Sequence, residues 1–181
     1  MKIVLMRHGK PVLSPTRWVY PMEMAAWIEG YDRADMAHGQ PPADSRAQAA
    51  SAAVIVSSAT RRALSSAQAL GRSPDVVDAL FGEAGLPVAP MRGPRLPPSV
   101  WAAVFRTLWF FGWAWDAEPL TAARARAKAA AATLVALSVQ GPVLLVGHGI
   151  MNGLIATELR ALGWHGARPG GRHWNATAYA P

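Results

Sequence analysis

Residues Met1–Lys10, reading MKIVLMRHGK, constrain the fold more than any other stretch of the chain. An apolar run (Ile3, Val4, Leu5, Met6) delivers Arg7, His8 and Gly9 into a loop. A short aliphatic run bounded by a breaker is the pattern of a buried strand. Such a strand sets a fixed cation and an imidazole at its carboxyl end, and in open α/β sheets ligands bind at that edge. Gly9 lets backbone and ligand approach without a Cβ between them. A solvated Arg-His pair is the plain alternative, and the rest of the chain decides between the two.

The chain repeats the arrangement. Val54–Val56 is a β-branched run ending in Ser57-Ser58, followed by a helix predicted over Thr60–Leu70 and closed by Gly71. Val143–Val146 is a fully apolar strand ending in Gly147-His148-Gly149, with a helix predicted over Ile150–Leu162. Between them, Asp75–Leu80 reads as strand or turn, Pro87–Pro98 as a proline-rich loop, and Leu120–Val139 as an alanine-rich helix with leucine and valine for its buried side. Before them, Pro11–Pro21 is loop, Met22–Tyr31 a short helix stopped near Gly30, and Asp32–Asp44 loop again. The end, Arg172–Tyr179, alternates in polarity like a last strand. Strands alternating with helices imply an α/β fold with a largely parallel sheet.

Composition narrows the function classes. With 181 residues, half of them hydrophobic, the chain is expected to form one domain with a real core. The absence of cysteine excludes disulfides and thiolate metal sites. Val100–Trp115 is the most apolar part and reads as a buried or partly covered helix, with an interfacial patch as the lesser alternative. It is too short to span a bilayer and carries Arg106 near its middle. The amino end does not read as a signal peptide, so a cytoplasmic protein without membrane contact is expected. The net charge is +7, and 15 of the 18 basic residues are arginine. They are scattered without a basic run or base-stacking motif, which favours a small anionic substrate over nucleic acid.

If the three strands lie parallel and side by side, their carboxyl ends converge. Two histidines and at least two arginines then share one pocket, a set that suits a phosphoryl group because arginine forks match phosphate oxygens. In this combination the sequence resembles the histidine phosphatase superfamily, the phosphoglycerate mutase-like or branch 1 histidine acid phosphatase proteins. The resemblance covers nearly the whole chain. It rests on Arg7-His8-Gly9, on the stretch Ser57-Ser58-Ala59-Thr60-Arg61-Arg62-Ala63-Leu64-Ser65-Ser66-Ala67, on a mid-chain glutamate, and on the late His148-Gly149.

The resemblance implies a three-layer α/β/α sandwich with a mostly parallel central sheet, as one domain over 1–181. Segments 11–31 and 87–115 are expected to cap the substrate. It also implies roles. His8 is the nucleophile that forms a phosphohistidine, later hydrolysed by water. Arg7, Arg62 and Gly9 bind phosphate, with His148 as a further donor that helps most as an imidazolium facing the bound dianion. Arg62 is preferred to Arg61 because Ala63 follows it, which leaves Arg61 as a solvated helix residue. Glu83, in FGEAGLP, is the general acid for the leaving oxygen, with Asp78 in reserve.

Ser58 and Lys10 are possible site residues, and Asn152 either lines the pocket or caps its helix. His173 and Asn175, on the last strand, either face the site or, as the first expectation, are structural. No cofactor is expected. The five histidines lack HxH or HExxH spacing, so no metal is expected either. The expected activity is a metal-independent phosphomonoesterase acting on a small phosphorylated metabolite or phosphoprotein, as a monomer or homodimer. The alternatives are a non-catalytic phosphate-binding protein on the same fold and a phosphoglycerate mutase-type phosphotransferase. Against the latter stand the short chain and Lys10, where mutase-type members carry an acidic residue.

Overall fold

The computed structural model describes residues 1–12, 17–37 and 39–181; the loop readings at 13–16 and at position 38 lie outside the described residues. One sheet holds β1 (Ile3–Arg7), β2 (Val54–Ser57), β3 (Val76–Val77), β4 (Val143–Gly147) and β5 (Ala176–Tyr179), in the order β3-β2-β4-β1-β5. The first four strands run parallel, and β5 pairs antiparallel with β1. The α-helices are α1 (Met24–Arg33), α2 (Ala43–Ser51), α3 (Arg61–Ala69), α4 (Pro98–Phe110), α5 (Leu120–Leu137) and α6 (Gly149–Ala161).

The period of two along each strand divides the core into two faces. Ile3, Leu5, Val54, Val56, Val143 and Leu145 pack with Ala127, Ala130, Leu134, Ile155 and Leu159 of α5 and α6. On the other face Val4, Met6, Ile55, Leu144 and Val146 meet Ala49, Ala63, Ala67 and Leu70, from α2 and the α3 end. A sheet buried on both sides explains why β1 and β4 read as continuous apolar runs. A third cluster lies off the sheet. Met24, Ala89, Trp101 and Phe105 are buried there with Val19, Trp27, Ile28 and Leu86 around them. The Trp101 indole satisfies its N–H on the Val19 carbonyl at 3.0 Å.

Three boundaries differ from the sequence reading. α1 runs through Gly30 to Arg33, because a Cβ at Gly30 would meet nothing and the position faces solvent, so the glycine has no turn to make. Asp32, expected in a loop, therefore rides on the last turn of α1. α4 stops at Phe110 rather than Trp115, since the chain turns through positive φ at Gly112 and Trp115. Trp101, Phe105 and Trp109 form its buried stripe, while Phe110, Phe111, Trp113 and Trp115 are exposed. The last strand begins only at Ala176, because residues 172–175 form a turn with Trp174 at φ 63°. No helix among the described residues is long and apolar enough to cross a membrane.

Leu145 is fully buried at the centre of the sheet, whereas Leu162 is exposed past α6. Leu145→Ala should cost about 2–5 kcal/mol in urea unfolding, and Leu162→Ala less than about 0.5 kcal/mol.

Candidate active site

β1, β2 and β4 end level with one another: Arg7 pairs with Gly147 and Ser57 with Val146. The residues that leave these ends are therefore neighbours. The rings of His8 and His148 lie 5.1 Å apart between centroids, and those of His8 and His173 5.3 Å. Arg7 from β1 and Arg62 from the first turn of α3 flank the same point, and Arg62 is only 2% exposed.

His8 is held from one side. Its Nδ1 lies 2.7 Å from the Gly9 carbonyl, so Nδ1 carries the proton and donates, and Nε2 keeps its lone pair. Burial, then the charges of Arg62 and Arg7, lower its pKa to about 3, outweighing the opposite effect of the Gly9 bond. Burial and the Arg62 charge also push His148 well below the ordinary imidazole range. Without substrate His148 is thus held toward its neutral form; the imidazolium expected from the sequence is one that faces a bound dianion. Its Nε2 shares a 2.7 Å hydrogen bond with the Ser58 hydroxyl, and Thr60 lies 3.4 Å away.

The arginines are only partly satisfied. Arg7 donates to the Gly171 carbonyl. Arg62 donates to Asp32 at 3.0 Å and stacks over the Tyr31 ring at 4.8 Å. The Nε atoms of both are buried and have no hydrogen-bond partner among the described residues. Buried donors of this kind are costly unless an acceptor reaches them. Arg61, by contrast, is exposed and pairs with Asp35.

Glu83 arrives from the loop after β3. Its carboxylate accepts backbone hydrogen bonds from Ala84 (3.1 Å), Met151 (2.9 Å) and Ile150 (3.2 Å). The last two are first-turn N–H groups of α6, which have no intrahelical acceptor. The loop is itself clamped by Arg126 of α5. That side chain donates to the carbonyls of Leu80 (3.0 Å), Gly82 (2.7 Å) and Glu83 (3.4 Å) and forks onto the Glu118 carboxylate. Arg106 of α4 donates to the carbonyls of Ala84 (2.9 Å) and Gly85 (3.2 Å) and lies over the Trp109 ring at 4.7 Å. A cleft of about 690 Å³ opens between these groups, with Arg7, Thr60, Arg62, Glu83 and His173 on its wall.

No family model and no curated protein matches the sequence, but solved structures do. Mycobacterial glucosyl-3-phosphoglycerate phosphatase Rv2419c, complexed with VO3, is 22% identical over 98% of this chain and 91% of that one, at a TM-score of 0.62. Its native structure is 26% identical over 89% and 78%, at 0.51. TTHB049 from Thermus thermophilus is 21% identical over 98% and 92%, at 0.57. The chain shares the fold of these proteins. Its three layers and mostly parallel sheet are those the resemblance implied.

Several positions singled out in the sequence have unexpected surroundings here. Gly9 serves packing rather than ligand approach: its N–H donates to Ser66 Oγ at 2.8 Å, and a Cβ would lie 2.5 Å from Met36 Sδ and from the Trp174 ring. Asn152 does not cap α6, whose N-cap is His148. It turns inward, with Nδ2 donating to the Met6 carbonyl at 3.1 Å and tying α6 to the end of β1. Asp78 accepts from Leu80 N–H at 2.8 Å and caps a short 3-10 turn, while Asn175 accepts from Gly170 N–H at 2.8 Å. Lys10 is exposed, and its charge reaches the cluster by opposing protonation of His173. His173, expected to be structural, stands on the cleft wall because the turn before β5 folds it back over His8.

Sequence reasoning also missed Arg126, Arg106 and Asp32. The signal for Arg126 is positional: it lies three residues after Ala123 and four before Ala130, on the edge of the buried stripe of α5. An arginine there has to find partners.

Two outcomes follow from this arrangement. His8, His148 and His173 bind protons less readily in the folded than in the unfolded chain. Stability is therefore full above the unfolded imidazole value of 6.5 and falls as pH drops toward the folded values. His8 alone gives a slope of about 1.4 kcal/mol per pH unit in that window. Urea unfolding at pH 5 should show a stability lower by about 2 kcal/mol or more than at pH 7, and His8→Asn should shrink the difference. Arg126→Met strips Glu118 and three carbonyls of their donor and should cost about 2–4 kcal/mol, measured the same way at pH 7.

Proposed function

We propose that this chain is a metal-independent phosphomonoesterase that works through a covalent phosphohistidine at His8. The observation that carries the reading is the conjunction at the ends of β1 and β4. A neutral imidazole with its proton fixed on Nδ1 stands beside two arginines whose buried Nε–H groups have no partner among the described residues. A phosphoryl group meets both needs, supplying acceptors for the guanidinium groups and an electrophile for Nε2. The phosphatase activity named for the mycobacterial neighbour supports the same class of reaction.

The steps balance. His8 Nε2 attacks phosphorus, the bond to the ester oxygen breaks, and that oxygen leaves with a proton from Glu83. Water then attacks the phosphohistidine, Glu83 takes up the proton released, and inorganic phosphate departs from a restored His8. Arg7 and Arg62 hold the phosphoryl oxygens throughout. His148, poised between Ser58 and His8, donates to the same group once the dianion supplies the countercharge that burial denies it. Segments 11–31 and 87–115 act as the cap over the cleft, within a single domain spanning 1–181. The substrate is a small phosphorylated molecule.

The test is hydrolysis of an aryl phosphate in the presence of a chelator. His8→Ala should lower kcat by about a thousandfold or more, and turnover that survives in this variant overturns the assignment. Glu83→Gln should cost far more with an alkyl ester than with an aryl ester, because only the alkoxide needs a proton to leave.

A further inference from the structure

Beyond the phosphate end, the cleft changes character. One wall is α1, where Trp27 and Tyr31, one helical turn apart, stack with ring centroids 5.4 Å apart and Ile28 stands beside them. The facing wall is Leu86 with Ala102 and Arg106 of α4. The Arg62 guanidinium over the Tyr31 ring joins the two ends of the cleft, so a phosphate held by Arg62 has an aromatic surface immediately next to it.

The main-chain carbonyls along this path are already engaged, and the polar atoms left to a ligand are few, the Trp27 indole N–H, the Tyr31 hydroxyl and the second Asp32 oxygen among them. The carbonyls of Gly82, Glu83, Ala84 and Gly85, which run along the cleft, accept hydrogen bonds from Arg126 and Arg106. The Glu83 carboxylate takes three backbone N–H groups, and Asp32 is paired with Arg62. A ligand with many hydroxyls outnumbers these free partners, and each hydroxyl it buries unpaired carries a cost. A flat apolar group instead gains contact area on the stacked rings and displaces water from them.

We propose that the substrate of this site is a phosphate monoester of an apolar, ring-bearing alcohol rather than of a polyhydroxylated one. The inference rests on the phosphatase reading for turnover, but the selectivity belongs to the cleft and is measurable without it. Arg106 bounds the apolar path, its guanidinium occupied by two carbonyls and the Trp109 face. It closes the far side rather than offering a second anion site.

The experiment compares 2-phenylethyl phosphate with glucose 6-phosphate, both esters of primary alcohols, so leaving-group chemistry is matched. In parallel, calorimetry compares the binding of 3-phenylpropylphosphonate and methylphosphonate, neither of which can be hydrolysed. The phenylethyl ester should have a kcat/KM higher by on the order of tenfold or more, carried by KM, and the arylalkyl phosphonate should bind tighter by a similar factor. Trp27→Leu, and independently Ala102→Asn on the facing wall, should narrow both ratios.

Turnover with equal or better use of glucose 6-phosphate overturns this inference and leaves the phosphatase reading standing. Selective phosphonate binding without turnover of either ester does the reverse. Two phosphonates that bind alike also overturn the inference.

Discussion

Everything at this site depends on positive charge held out of water without a full set of partners. Arg7 and Arg62 are fixed where three strands end, and the Nε–H of each faces no acceptor among the described residues. The same burial keeps His8 and His148 neutral. Uncharged imidazoles are what two neighbouring guanidinium groups tolerate, and a neutral nitrogen is what can attack phosphorus. One electrostatic arrangement thus serves both parts of the proposed reaction, holding an anion and attacking it.

The fold maintains this arrangement by doubling its supports. Each strand that delivers a site residue is buried on both faces, with α5 and α6 on one side and α2 and α3 on the other. The side chains that shape the cleft are anchored a second time by backbone: Nδ1 of His8 on Gly9, Glu83 on the first turn of α6, and the Glu83 loop on Arg126. Asn152 bolts α6 to β1, the same strand that carries Arg7 and leads into His8. Motion that misplaced Glu83 relative to His8 would have to break several of these bonds together.

The layered fold and the strand-end histidines were legible in the sequence because they rest on local signals, namely apolar runs with a breaker and polar residues immediately after. Glu83 was legible because it is the only glutamate between Glu29 and Glu118. What was not legible depends on tertiary geometry. Gly9 looked like a ligand-facing glycine, and only the folded chain brings Met36 and Trp174 against it. Gly30 looked like a helix stop, yet nothing in the fold asks the chain to turn there. His173 looked structural on an alternating strand, with a place facing the site as the lesser reading. Its place over His8 comes from a turn whose Trp174 adopts a left-handed conformation, which no periodicity encodes.

The antiparallel course of β5 sets where the chain ends lie. Every parallel strand reaches the cleft at its carboxyl end, whereas β5 leaves the cleft and runs away from it, so that Tyr179 pairs with Ile3 at the opposite rim of the sheet. Residues Ile3 and Tyr179, and the short stretches beyond them, therefore lie side by side at the rim remote from the cleft. A tag, a fused partner or a surface tether joined to this domain beyond β1 or β5 leaves the mouth of the cleft turned toward solution.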